Sequence, residues 1–588
     1  MNIKDVCYSY FGWFGEALSK VMKGTEKDLD AAAFKIHPDV YFSLVGSAAL
    51  ISFSIPTAVL LLRSMGLIPM LPFLDITGLM LIPFFLAIPV IIILVGVILP
   101  KGAASEKTSG LKIEIPYASM YISTMTSGGL SPYESILRLR HMDLLPNMQV
   151  EVSRIQTIVL SQGIDPLTGM EQAAKVVDIS EYKELLLGYA SSVRTGGDTV
   201  HYLFNQTNTM FESLSGRIKG LGETMGMLME AYTIVGILGV LGLFLMFVVG
   251  MAMPSMGMGM SDAQFMLFSY VGLPMLSGLF IFFSDMCQLS YPVSNWKTYM
   301  VVAACAPIGL FVASQFVLPF FDERFLIFPS MQNALFGIAS MFDLAEGTET
   351  ALGLAISLIL ISIPGVIADM VFVGREGATL QGITQFLRDL VETRKSGLGP
   401  ERCIHALSNK DYGAFSKHIR AISMKLNWGY PMRKIYEEFR GSMRNWLALI
   451  NIYLLIDTLE VGGGTEESLE TLAKFSESTK LLEDEKKSAL MPLTIVPYIG
   501  AALLTGTTVM FLQFFTSMGD LGVSIASVTL YRSLLTPLTL HSWCLGLVTG
   551  KITSGRLSAG FIHAILLTLV AIAGVWGVAN LSLGGSMV

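Results

Sequence analysis

Two glycine-rich turns have the residue types and spacing that come nearest to a chemical role, Arg194-Thr195-Gly196-Gly197-Asp198-Thr199 and Glu460-Val461-Gly462-Gly463-Gly464-Thr465. A glycine turn that enters a helix N-terminus exposes backbone N–H groups able to hold a phosphate. Neither turn follows a strand pattern or carries the Lys-Ser/Thr of a P-loop, so nucleotide binding does not follow from them. Gly546 to Lys551 has the wrong spacing for that motif and Ile552 where a hydroxyl is needed. The sequence contains no His-Glu-x-x-His, its seven histidines are dispersed, and no Ser or Cys stands in a nucleophile elbow. Gly519-Asp520-Leu521-Gly522 resembles half of an aspartyl peptidase site but falls in an outer loop with no evident partner. The five cysteines are scattered, without metal-ligand spacing. Met251 to Gly259 offers thioethers that suit Cu(I); with 34 methionines in the chain, gap filling in apolar surroundings explains them as well. The expectation is a protein that is not an enzyme, with no catalytic, cofactor-binding or metal-binding residues.

The elements that carry these turns are set by hydropathy. Only 14% of the 588 residues are Asp, Glu, Lys or Arg, 52% are apolar, and the mean hydropathy is +0.60. Those values describe a membrane protein. Runs of roughly 20 apolar residues, enough to cross the hydrocarbon as helices, occur near 40–62, 76–99, 228–251, 265–283, 300–319, 351–373, 490–514, 534–548 and 559–581. The eighth is the shortest. The pattern predicts an all-α polytopic protein with about nine transmembrane helices: a segment 1–39, two spans in 40–100, a helical domain 101–227, four spans in 228–373, a second helical domain 374–489, and three spans in 490–588. With a cytosolic N-terminus, nine alternating spans leave only Arg63, Arg324 and Arg532, of 39 Lys and Arg, on the outer side, as the positive-inside bias requires. Both helical domains are then cytosolic and the C-terminus lies outside. The first 39 residues, with five lysines around a stripe of Trp13, Phe14, Leu18, Val21 and Met22, read as a short helix near the headgroups.

The two domains repeat each other. Ser127-Gly128-Gly129-Leu130-Ser131-Pro132 matches Lys395-Ser396-Gly397-Leu398-Gly399-Pro400; Gln162-Gly163-Ile164-Asp165-Pro166 matches Trp428-Gly429-Tyr430-Pro431; and the two glycine turns above close the series. Glycine ends one helix in a left-handed cap, and Pro, Asp, Ser or Thr opens the next. Each domain is thus expected to be an antiparallel bundle whose turns are set by Gly129, Pro132, Gly163, Gly196 and Gly197 in the first, and by Gly397, Pro400, Gly429, Gly462 and Gly463 in the second.

This order of turns, each followed by a charged helix and then a span, resembles the F domain of type II secretion and type IV pilus inner-membrane platform proteins. Two such domains after two leading spans look most like the archaeal branch, which includes the archaellum platform. The resemblance implies a cytoplasmic-membrane platform that docks a cytosolic hexameric ATPase, passes its motion to pilin- or archaellin-like subunits, and works as a homodimer; no nucleic acid partner is expected. Residues 375–444 hold thirteen basic against seven acidic side chains, a surface suited to an acidic partner or to anionic lipid headgroups. Arg433, Lys434, Arg440 and Arg444 are the candidates for ATPase docking. The rival reading is a transporter, whose path would use the in-span carboxylates Glu230, Asp285 and Asp369. All three fall near inner span ends, and the clearest repeat is cytosolic, whereas transporters repeat their spans.

Overall fold

The computed structural model describes residues 7–13, 15–16, 37–64, 78–252, 260–288, 291, 296–320, 325–462, 464–519 and 527–580. Most of the N-terminal apolar stripe, residues 253–259 of the methionine-rich stretch, the acidic residues Asp322 and Glu323, Asp520 to Gly522 and Gly463 lie outside them. The described residues contain helices and no strand. In chain order these are α1 Pro38–Ser64, α2 Gly78–Ser127, α3 Pro132–Arg138, α4 Pro146–Gln162, α5 Pro166–Val176, α6 Ser180–Arg194, α7 Thr199–Ala252, α8 Asp262–Leu267, α9 Leu273–Cys287, α10 Lys297–Val317, α11 Pro329–Met341 and α12 Glu349–Phe372. The second half follows as α13 Gly374–Arg394, α14 Pro400–Leu407, α15 Ser416–Asn427, α16 Met432–Ser442, α17 Trp446–Gly462, α18 Glu466–Leu490, α19 Ile495–Gly519, α20 Ser527–Ser554 and α21 Gly560–Asn580.

The chain forms two compact units, residues 1–115 with 177–183, and residues 116–176 with 184–588. In the smaller unit α1 lies against α2. Tyr41 donates its hydroxyl to the Gly96 carbonyl at 2.8 Å, and a Cβ on Gly96 would meet Val45 Cγ1 at 2.4 Å. Glycine is what allows these two backbones to come so close.

Among the described residues of the larger unit, six helical segments are long and apolar enough to cross a membrane: Thr199–Gly250, Gln264–Cys287, Lys297–Phe320, Glu349–Arg394, Glu466–Phe515 and Leu557–Val578. They contain six of the nine expected spans. The first two expected spans fall on α1 and the N-terminal half of α2. The eighth falls within the 28-residue α20, which is not among the six.

Helix α20 owes its polarity to its place. It packs against α7, α9, α12, α19 and α21, and Thr536, Thr539, His541, Ser542 and Thr549 are all buried. Thr536, Thr539 and Thr549 donate to carbonyls one turn back, so these hydroxyls face protein and not lipid. Gly546 and Gly550, which mimic part of a P-loop in sequence, are packing residues. A Cβ on Gly546 would stand 2.2 Å from Ala564 Cα, and one on Gly550 2.1 Å from Gly560 Cα, the small-residue approach typical of membrane helices. Lys551 pairs with Asp285, and Ser558 donates to Asp369 at 2.6 Å. Two of the three carboxylates that a transporter path would need are thus bonded to Lys551 in the last turn of α20 and to Ser558 before α21; Glu230 is exposed.

At the repeat turns glycine takes the left-handed backbone. After α2, Gly129 has φ +95° and Leu130 N donates to Met125 O at 3.2 Å, the six-to-one bond of a left-handed helix stop. Ser131 then accepts from Glu134 N, and Pro132 sits in the first turn of α3. In the second repeat Gly397 has φ +84° and Gly429 φ +73°, the latter with Tyr430 N bonded to Lys425 O at 3.0 Å, and Pro400 opens α14.

Candidate docking surface

The remaining turn residues divide. Gly163 and Gly196 have φ +62° and +71°, whereas Gly197 lies outside the left-handed region and donates to Ser192 O at 2.8 Å. In the second repeat Gly462 is the last residue of α17, and Gly464 is left-handed, φ +62°. Gly464 is thus a turn residue beyond the pair expected at Gly462 and Gly463. The signal that marks it is its place directly before Thr465, which caps α18 by accepting from Ser468 N. A Cβ on Gly464 would also meet Leu459 Cδ2 at 2.6 Å and Pro400 Cγ at 2.9 Å, and its carbonyl accepts from Arg394 Nε at 3.1 Å. The two turns at the ends of α13 and α17 are therefore packed on each other.

The basic residues of the second repeat have different fates. Arg388 pairs with Glu477, Lys395 with Glu392, Lys410 with Asp389 and Lys425 with Glu438. Arg440 turns to the first repeat, where its Nη1 lies 2.9 Å from Asp143 Oδ2. The Arg440 hydrogen bond, with Arg433 adding its field, holds the Asp143 carboxyl below the usual range. Arg433, Lys434 and Arg444 are exposed and have no ion pair among the described residues; Lys434 Nζ stands 5.5 Å from the Tyr430 ring centre. The structure thus leaves three of the four docking candidates available and engages the fourth within the fold.

The surface rests on a joint between the repeats. Trp446, at the start of α17, donates Nε1–H to Leu144 O at 2.8 Å, meets Tyr117 edge-on at 4.8 Å and stacks on Tyr291 at 5.0 Å. Tyr291 belongs to the connection between two spans, so one indole joins both repeats and the membrane region. Nearby, the buried Tyr121 hydroxyl donates to Asp457, whose other oxygen lies 3.8 Å from Arg138. Burial and the adjacent carboxylate push the Tyr121 hydroxyl well above its ordinary pKa.

A longer seam continues this joint. Helix α7 is an unbroken 54 residues from Thr199 to Ala252. Its repeat partner begins with α18 at Glu466 and ends with α19 at Gly519, each end 267 positions later, interrupted by a 3₁₀ turn at Met491–Thr494 where Pro492 removes an N–H. The two run side by side in the same direction. Gly222 faces Ala489, Gly226 faces Leu493 and Thr233 faces Gly500, and every pair is again 267 apart. Phe475 stacks on Phe211 at 6.0 Å, while Ser215 and Lys219 meet Glu485. Equivalent positions of the two repeats thus face each other across one seam, as in the interface of a parallel dimer.

These repeats match a known domain. The model for type II secretion system protein F matches residues 118–247 and again 386–513. Two stretches of the chain thus match the type II secretion system F domain. Each matched stretch enters within a repeat's first helix, runs through the bundle and continues into the span that follows, so the seam between the two F domains lies almost wholly inside the matched residues. An uncharacterized protein of Methanocaldococcus jannaschii is 20% identical over 503 residues, 82% of either chain. No solved structure matches the chain significantly.

Proposed function

We propose that the protein is a cytoplasmic-membrane platform for a type IV pilus-like filament or secretion machine, with both F domains in the cytosol, docking a hexameric ATPase and coupling it to pilin- or archaellin-like subunits. The observation that carries this reading is the in-register seam between α7 and α18–α19, which continues from the two F domains into the spans that follow them. A force applied to either domain meets both domains and their spans as one packed body, and Trp446 ties the joint to the connection at Tyr291. That is what a part transmitting motion to a membrane-held subunit needs. A homodimer of the chain would set four F domains beneath one motor.

The test is a binding measurement between the full-length protein in nanodiscs and the secretion ATPase of the same organism, with turnover recorded alongside. Binding that raises ATPase turnover and weakens on charge reversal at Arg433, Lys434 and Arg444 is the expected result. A protein that binds no ATPase and moves a solute across liposomes would instead be a transporter.

A further inference from the structure

The two F domains share a fold and not a surface. At the turn before α16, Gly429 is left-handed and a Cβ there would touch nothing within 4 Å, so the turn projects into solvent. Its flanking residues are Trp428, 67% exposed, and Tyr430, 39% exposed. Beside them opens a cleft of about 470 Å³ lined by Leu398, Pro400, Arg402, Met432 and Leu459, with Glu401 its one carboxylate. Arg402, Arg433 and Lys434 are exposed and have no carboxylate partner among the described residues.

The first domain serves as an internal control. Gly163 makes the corresponding left-handed turn, again with nothing near its Cβ. In place of Trp428 and Tyr430 stand Gln162 and Ile164; in place of Arg433 and Lys434, Leu167 and Thr168; in place of Arg402, two residues after the helix-opening proline, Glu134. The Asp165 carboxylate there is spent on its own helix, accepting from Leu167 N and Thr168 N. The first-domain turn folds with no aromatic flanking its glycine, and the cation beside it, Arg194, is bonded to Thr168 and Glu171, so the fold does not require exposed aromatics or unpaired cations at this turn in the second domain. Exposed Trp, Tyr and Arg around a cleft are the residues that carry binding energy at interfaces.

The position favours a soluble partner over lipid. Helix α13 begins two residues after α12, a candidate span, and its 21 residues rise about 30 Å at 1.5 Å each before the turn at Gly397 that borders the cleft. The patch lies at the end of the second F domain remote from the spans.

We infer that this tip of the second domain alone is the docking surface: Trp428, Tyr430 and the Leu398–Met432 cleft take an apolar side chain of the partner, while Arg402, Arg433 and Lys434 face its carboxylates. The partner is an acidic, water-soluble protein surface, and, resting on the platform reading above, it is the motor. The platform is then engaged on one of its two F domains.

The experiment uses full-length protein in nanodiscs and the same ATPase. Trp428→Ala with Tyr430→Ala should weaken Kd at least tenfold, and Arg402→Glu with Lys434→Glu at least tenfold, with wild-type affinity falling as salt rises. Gln162→Ala with Ile164→Ala in the first domain should stay within twofold. Wild-type affinity in the Trp428 and Tyr430 variant, or equal losses from the first-domain pair, overturns the one-sided surface and leaves the platform intact. Effects seen in anionic nanodiscs and not in zwitterionic ones would give the patch to lipid headgroups. No binding by the wild type would remove the platform reading itself.

Discussion

Gly222 stands against Ala489, 267 residues further along the chain, so closely that a Cβ on the glycine would lie 3.0 Å from the alanine Cβ. The same interval separates Gly226 from Leu493 and Thr233 from Gly500, and it lies within a residue of the interval between the matched turn glycines, Gly129 with Gly397 and Gly163 with Gly429. A duplication that keeps its equivalent surfaces in contact builds within one chain the interface that a symmetric dimer builds between two. The consequences of that arrangement can be measured.

Tyr121→Phe should destabilise the protein by about 1–3 kcal/mol, because Asp457 is buried and loses the hydroxyl that bonds it, while Arg138 stands 3.8 Å away. Asp457→Asn should cost less, since an amide oxygen can accept the same bond without a charge. Melting of the detergent-solubilised chain reads both. Equal melting of Tyr121→Phe and wild type would show that this bond does not hold the repeats together.

Trp446→Phe should loosen the joint by about 1–3 kcal/mol, leaving Leu144 O without its donor and thinning the stack on Tyr291. The diagnostic readout is protease sensitivity, rising in both F domains at once. Sensitivity confined to the second domain would argue that the indole belongs to that bundle alone.

Gly129→Val and Gly397→Val should each cost about 1 kcal/mol or more, because their φ of +95° and +84° suits glycine although a Cβ there has open space. Asn at the same positions should cost less, since it tolerates the left-handed region. Gly464→Val should be the worst, because strain adds to the clash with Leu459 and Pro400. Identical melting for the three valine variants would refute the separation of strain from crowding.

Acid should weaken the Asp143–Arg440 clasp. The folded carboxyl titrates below its ordinary value because Arg440 bonds its charged form, so its contribution is present above the unfolded pKa of about 3.9 and is lost as pH falls through the folded value. Both side chains are largely exposed, which limits the contribution to about 0.2–1 kcal/mol. Arg440→Ala should flatten the stability profile between about pH 5 and 3 by that amount; an unchanged profile would show that the pair contributes nothing.

The turns are readable in the sequence because their chemistry is local: Gly129, Pro132, Gly397, Pro400 and Gly429 act on the few residues around themselves. Gly464 is harder, since three consecutive glycines each satisfy the rule and its approach to Leu459 and Pro400 is not written in the local sequence. The pairing of α7 with α18 is not readable. Periodicity reveals that a helix has an apolar face and is silent on which helix covers it. For the same reason Arg440 and Arg433, seven positions apart and chemically alike, give no sign that one is bonded to Asp143 while the other remains exposed. Helix α20 misleads in the opposite direction. Its threonines and His541 lower its hydropathy because it is wrapped by other helices, where polar groups find partners that lipid would not provide.

The most direct measurement on the central claim is oxidative cross-linking of Gly222→Cys with Ala489→Cys in a cysteine-free chain, since Cβ atoms this near lie within reach of a disulfide once the helices yield by a few tenths of an ångström. The in-register seam predicts a rapid link within one chain, seen as joined fragments after cleavage between the two positions, and little linking when the partner cysteine is placed at Leu482, seven residues out of register. Failure to link, or links only between separate chains, would contradict it.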